Sequence, residues 1–169
     1  GFYRSPRVAD VRAMLPELQW GLAASVETFR WAAAFDFPNL DVDYEMVSLR
    51  HPTEYPMNEG RIVSSKGLDI PVREFESYFV EEQVPYSTAL HCSIKGRGAY
   101  TVGPLARVNL NFDRLTADAQ AAARASGIPF PNANPFTGIV ARAVEVVHAG
   151  VVQLAVARIE RIVGLRPRR

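Results

Sequence analysis

Arg61-Ile62-Val63-Ser64-Ser65-Lys66-Gly67-Leu68-Asp69-Ile70 decides the fold class. Two short β-type runs, Arg61 to Ser64 and Leu68 to Ile70, flank Ser65-Lys66-Gly67, and the stretch reads as a tight hairpin. Upstream, Tyr44 to Leu49 alternates loosely and leads into the turn-rich segment His51 to Gly60. Downstream, Asp69 is placed to cap a short helix over Val72 to Gln83, with Val72, Phe75 and Phe79 as its apolar face and Pro85 as its stop. Thr88 to Ile94 and Ala99 to Val108 read as a second hairpin around Gly96-Arg97-Gly98, with a bulge or strand exit expected at Gly103-Pro104.

Helices flank this β-rich middle. Ser5-Pro6 has the form of a cap followed by proline at the first helical position. Val8, Val11, Leu15 and Leu18 then recur at helical spacing, with a kink or break expected at Pro16. The pattern continues through Leu22, Val26, Phe29 and Ala33 to a stop at Pro38. Trp20 and Trp31 stand eleven residues apart, three helical turns, and are expected in the core. Thr116 caps a segment Ala117 to Ser126, Gly127 suits the position after it, and Pro129 forbids continuation. Asn134-Pro135 repeats the cap-and-proline start of a helix running to about Val163, on the order of 40 Å long, closed by Gly164 and Pro167. The spans are 1–37 (helical), 41–112 (β-rich with one short helix) and 113–165 (helical). The fold class is α+β, a small antiparallel sheet of two hairpins against long helices.

Composition narrows the function. In 169 residues, 48% are hydrophobic and 22% charged, the make-up of a single globular domain. Nineteen Lys and Arg against 18 Asp and Glu leave a formal charge of +1, which supplies no basic field for nucleic acid. The apolar run from Val146 to Ala157 is interrupted by His148 and Gln153, so no membrane span is expected. Without a signal-peptide core near Gly1 to Arg4, the expected compartment is a reducing cytoplasm. Cys92 is the only cysteine, so neither a disulfide nor a cysteine-rich metal site can be built.

No reaction centre emerges from the residues. His51, His91 and His148 form no ligand pair at helical or strand spacing. His91 and Cys92 are adjacent in a strand and point to opposite faces, a poor nucleophile–base pair. Glu54 and Glu59 are two carboxylates in one turn, a composition that could do acid–base work but that more often marks solvated or capping positions. No glycine-rich phosphate loop opens a helix.

Three stretches carry a resemblance. They are Glu54-Tyr55-Pro56-Met57-Asn58-Glu59-Gly60-Arg61 through Ile70, then Ser87-Thr88-Ala89-Leu90-His91 through Tyr100-Thr101-Val102-Gly103-Pro104-Leu105-Ala106-Arg107 to Asn111, and Asn134-Pro135-Phe136 through Arg142. In this order and at these distances they resemble the middle of the large subunit of nickel–iron hydrogenases, in particular the soluble, cofactor-coupled branch of NAD(P)-linked enzymes, sulfhydrogenases and their relatives. The resemblance implies reversible dihydrogen oxidation by a complete enzyme. Its nickel–iron centre would hang on four thiolates from two Cys-x-x-Cys motifs, and its partner would be a small subunit with iron–sulfur clusters. Neither motif is present, and one sulfur cannot bridge such a centre.

No catalytic or ligand residue is therefore carried over. The expectation is an internal piece of a longer subunit, packed on the remainder of that subunit, inactive and metal-free by itself. A scaffold or protein-interaction module derived from the same fold is the alternative. Glu59, Arg61, His91 and Arg107 are the polar candidates for tuning a nearby metal centre. Their plain structural role would be to hold the sheet to its helices. The last helix, apolar on several sides through Val144, Val147, Val151, Val152, Leu154 and Val156, is a candidate for self-association.

Overall fold

Small and branched apolar residues at three- and four-residue spacing make the segment after Asn134 the centre of the protein. A computed structural model describes residues 7–158. The expected helix start at Ser5-Pro6, and the last helix beyond 158 with its closing Gly164 and Pro167, lie outside the described residues. Asn134 accepts a hydrogen bond from the Phe136 amide on its Oδ1 (3.0 Å), as an N-cap should. A 3₁₀ turn, Pro135–Thr137, then opens helix α6, Gly138–Arg158.

Two helices precede the sheet. Helix α1 is Val8–Ala13 and α2 is Leu15–Ala33. The break at Met14 places Pro16 in the first turn of α2, where its missing N–H costs nothing. Helix α2 packs on α6 at a close approach: a β-carbon on Gly150 would come within 3.1 Å of Leu22 Cδ1. Phe29 and Ala32 are buried on this side. Trp20 and Trp31, expected in the core, are 72% and 63% exposed. Their shared face is the outer one, because the smaller Leu22, Val26 and Phe29 already fill the contact with α6.

The first hairpin stands as read. Strands β1 (Val47–Arg50), β2 (Arg61–Ser64) and β3 (Asp69–Pro71) form an antiparallel sheet in the order β1-β2-β3, with Ile62 opposite Ile70. Asp69 therefore belongs to a strand and caps no helix. The helix expected over Val72 to Gln83 survives as a 3₁₀ turn, Val72–Glu74, and one turn of α3, Phe75–Tyr78. At Phe79 the backbone becomes extended (φ −112°, ψ 152°) and continues as β4, Phe79–Glu82.

The second hairpin is different from the expected one. Strand β5, His91–Ile94, pairs back with β4, Phe79 opposite Ile94. The stretch Ala99 to Val108 is not its partner. Gly103, at φ +101°, ends the extended chain, and Pro104 takes the first position of helix α4, Pro104–Asn111. Only Thr101 makes a sheet-like contact, with Met46. Helix α5, Ala117–Ala125, follows Thr116, whose hydroxyl makes no cap bond, and Gly127 takes the left-handed conformation after it (φ +75°).

Two cores result. In the smaller, Val47, Ile62, Leu68, Ile70, Phe79 and Ile94 pack together between the sheets. The larger core joins α2, α4, α5 and α6 around Val108, Ala119, Val140, Val144 and Val147. By length and composition Pro135–Ala157 could also cross a bilayer; in this fold it is the helix on which α2, α4 and α5 pack.

Candidate functional site

A carboxylate in an apolar helix must find cationic or hydrogen-bonding partners or lose its charge. Glu145 is the only acidic residue between Gly138 and Ala157. Its position on α6 turns it toward α4, where Arg107 meets it twice: Nε donates to Oε1 at 2.6 Å and Nη2 donates to Oε2 at 2.8 Å. Tyr55, buried in the turn between β1 and β2, donates its hydroxyl proton to the same Oε1 at 2.6 Å. The two-point guanidinium contact is the strong form of this pairing.

His148 lies one helical turn beyond Glu145. Its ring sits 4.9 Å from the Tyr55 ring, and its Nδ1 accepts the Thr116 backbone N–H at 3.1 Å. An accepting Nδ1 places the proton of the neutral ring on Nε2. The start of α5 is thereby tied to α6 although the Thr116 hydroxyl does not cap it.

The electrostatics follow from burial. Burial, then the hydrogen bond to the Glu145 carboxylate, pushes the Tyr55 hydroxyl far above its ordinary pKa. The hydrogen bond to Glu145 raises that of Arg107. Burial lowers that of His148, against a weaker opposing pull from Glu145. Tyr55 and Arg107 thus keep their protons and Glu145 is saturated by three donor bonds. The cluster is built to lock three elements together, and it presents no nucleophile with an oriented base.

The four sequence candidates do not converge. Arg107 is the one that joins the cluster. Glu59 is exposed in its turn, with no hydrogen bond or ion pair among the described residues. Arg61 is exposed on β2 and donates from Nε to Asp69 on β3 at 2.5 Å. His91 is exposed on β5, edge-on to the Tyr86 ring at 5.6 Å. Cys92 is half-buried and its sulfur accepts the Tyr100 hydroxyl at 3.0 Å. Tyr55, Glu145 and His148 were missing from the sequence-derived set. The available signal was Glu145, a lone acid inside an apolar run.

A second buried carboxylate, Glu45, accepts from Ser64 Oγ at 2.6 Å and Arg97 Nη1 at 2.8 Å, where the first hairpin meets the loop after β5. Among the described residues no group of three or more His, Cys, Asp or Glu is arranged to hold a metal ion.

Two of the three stretches that carry the resemblance meet at the Arg107–Glu145 cluster, and the third leads into it. The first supplies Tyr55, the second supplies Arg107, and Glu145 follows three residues after the third. No protein-family model matches the chain. It is 27% identical over 150 residues to the alpha subunit of sulfhydrogenase 1 from Pyrococcus furiosus. The match takes in 88% of this chain and 35% of that subunit, so the chain spans about a third of the relative's length. The chain is thus a mixed α+β unit similar to part of a hydrogenase large subunit.

Proposed function

We propose that this chain is an internal supporting domain of a cytoplasmic nickel–iron hydrogenase large subunit of the soluble, cofactor-coupled branch. The observation that carries the reading is the likeness to a hydrogenase alpha subunit, which runs through nearly the whole chain yet accounts for only a third of that relative. The residues present do not fit the nickel–iron centre itself. Four thiolates are needed, and the single Cys92 is half-buried beside Tyr100. The domain's contribution is mechanical. It holds the β1–β2 turn, α4 and α6 in register through Tyr55, Arg107 and Glu145, for the remainder of the subunit and the iron–sulfur small subunit to build on.

A second reading, a non-catalytic interaction module of the same descent, is favoured by the exposed aromatic face of α2, Trp20 and Trp31. The reading frame on either side of this segment separates the two. Cys-x-x-Cys pairs upstream and downstream support the hydrogenase domain; an independent frame without them supports the module. Nickel analysis and dihydrogen-dependent dye reduction on the purified chain test the remaining claim. Neither nickel nor turnover is expected, and stoichiometric nickel with turnover overturns it.

A further inference from the structure

Among the described residues the outer face of α6 is unpartnered and carries unspent positive charge. Ile139, Val146, Val152 and Val156 are 41–52% exposed along it. Between this face and the β1–β2 turn lies a cleft of about 560 Å³, lined by Tyr55, Met57, Arg114, Arg142, Val146 and Ala149 among others. Met57 on the opposite wall is 72% exposed. Exposed apolar surface of this extent is characteristic of a contact face.

The charges in the cleft are not balanced. Glu145 is saturated by Arg107 and Tyr55. Arg114 Nε is buried, has no hydrogen bond among the described residues, and forms an ion pair with Asp113 at 3.5 Å. Asp113 is itself held by both terminal nitrogens of Arg50, at 3.1 and 2.9 Å. Arg142 is exposed, with no carboxylate partner among the described residues. Against these two guanidinium groups stands Glu54 at the rim, 4.0 Å from His51. Arg142 is thus the exposed cation of the cleft without a counter-charge among the described residues.

We infer that the α6 cleft is the docking site of an apolar helical segment bearing one carboxylate, which the rest of the parent subunit supplies to Arg142. The inference rests on the hydrogenase-domain reading for the origin of the segment. Charge complementarity selects its chemistry, and about two thirds of the relative's length lies outside the match. An acidic side chain on an otherwise apolar helix pairs with Arg142 and covers Val146 and Met57 in one step.

The test uses the purified chain and two fluorescently labelled peptides. Each is an amphipathic helix of about 20 residues, leucine- and alanine-rich on one face, with glutamate or glutamine at the centre of that face. The glutamate peptide is expected to bind about fivefold more tightly at low salt, the scale of one partly exposed ion pair. High salt and Arg142→Gln should each abolish the preference; Arg142→Gln should also leave the thermal melt unchanged, since its side chain is exposed. Equal affinity for both peptides, or a preference that persists in Arg142→Gln, overturns the proposal. So does a concentration-dependent dimer abolished by Val146→Glu, because the face would then belong to a second copy. Flanking sequence without cysteine pairs would remove the hydrogenase origin and leave the peptide preference intact. Loss of the preference with those pairs present would remove only the docking site.

Discussion

Arg107 on α4 and Glu145 on α6 are joined by two parallel hydrogen bonds of 2.6 and 2.8 Å, and Tyr55 closes the group from the sheet side. The pair is mostly withdrawn from water, with the Glu145 side chain 15% exposed and that of Arg107 32%. Removing one member leaves the other without its counter-charge. Arg107→Ala strands the more buried partner and is expected to lower unfolding stability by about 2–3 kcal/mol, below the full cost of a completely buried pair because of its partial exposure. Glu145→Ala should cost less, since Arg107 can turn toward solvent. The double change Arg107→Met with Glu145→Leu should recover part of the loss. Urea denaturation of the four proteins checks the order; equal stability of Arg107→Ala and the parent would show the pair to be idle.

Protonation of His148 sets an acid limit on stability. Burial lowers its pKa in the folded protein below the ordinary value of 6.5. The unfolded chain therefore takes up a proton first as the pH falls, and stability declines below about pH 6.5 by at most ~1.4 kcal/mol per unit. The Arg50 guanidinium holds Asp113 below the usual carboxylate range, so its contribution is lost only below about pH 4. The interval between pH 5 and 6.5 belongs to histidine. His148→Gln should flatten the stability profile there, measured by urea midpoints at successive pH values.

Tyr55 sets the alkaline limit by the opposite shift. Its hydroxyl stays protonated in the folded state, while in the unfolded chain it ionises near pH 10. Folding then retains a proton that unfolding releases, and stability falls as the pH rises past about 10. Tyr55→Phe should be less stable than the parent at neutral pH, having lost a hydrogen bond to a carboxylate, but less sensitive to pH above 10. Identical slopes in the two proteins would contradict the buried, hydrogen-bonded hydroxyl.

Where the sequence misled, the reason was local. The first hairpin was legible because Arg61 to Ser64 and Leu68 to Ile70 are fixed by the intervening turn. In contrast, Ala99 to Val108 is rich in β-formers but contains Gly103-Pro104, and proline at a first helical position after glycine outweighs the apolar pattern. Val72, Phe75 and Phe79 have true helical spacing for a single turn; the chain leaves the helix at Phe79 because that ring is needed between the sheets, stacked on Phe75 at 4.6 Å. Pairing of β5 with β4 is non-local and could not be read from either strand. Arg107 was found at the site without its partner, because Glu145 sits in a run dominated by core residues.

Gly60 is needed for space as well as conformation. It precedes β2 with φ +143°, and a β-carbon there would lie 2.6 Å from the Arg50 carbonyl oxygen. Both terms are backbone terms, so no side chain can move to relieve them. Gly60→Ala is expected to destabilise by about 2–3 kcal/mol. Gly67→Ala, at φ +84° with no atom within 4 Å, carries only the conformational part and should cost about 1 kcal/mol. Thermal or urea midpoints for the two variants separate crowding from backbone preference, and equal losses would discount the crowding.

The tryptophans give a direct readout of which face of α2 is covered. Trp20 and Trp31 are 72% and 63% exposed, although Trp31 leans edge-on against Phe35 at 4.7 Å. Val147, on the helix opposite, is 1% exposed. Hydrophobic stabilisation follows the area removed from water, so indole size does not translate into stability here. Trp20→Gln is expected to change unfolding free energy by less than about 0.5 kcal/mol. Val147→Ala, which removes two buried methyl groups, should cost about 2–3 kcal/mol. Acrylamide should quench the fluorescence of the folded chain nearly as well as that of the unfolded chain. Protection of both indoles in the isolated, monomeric chain would mean that α2 presents its other face to solvent and that Phe29, not Trp31, is the exposed ring.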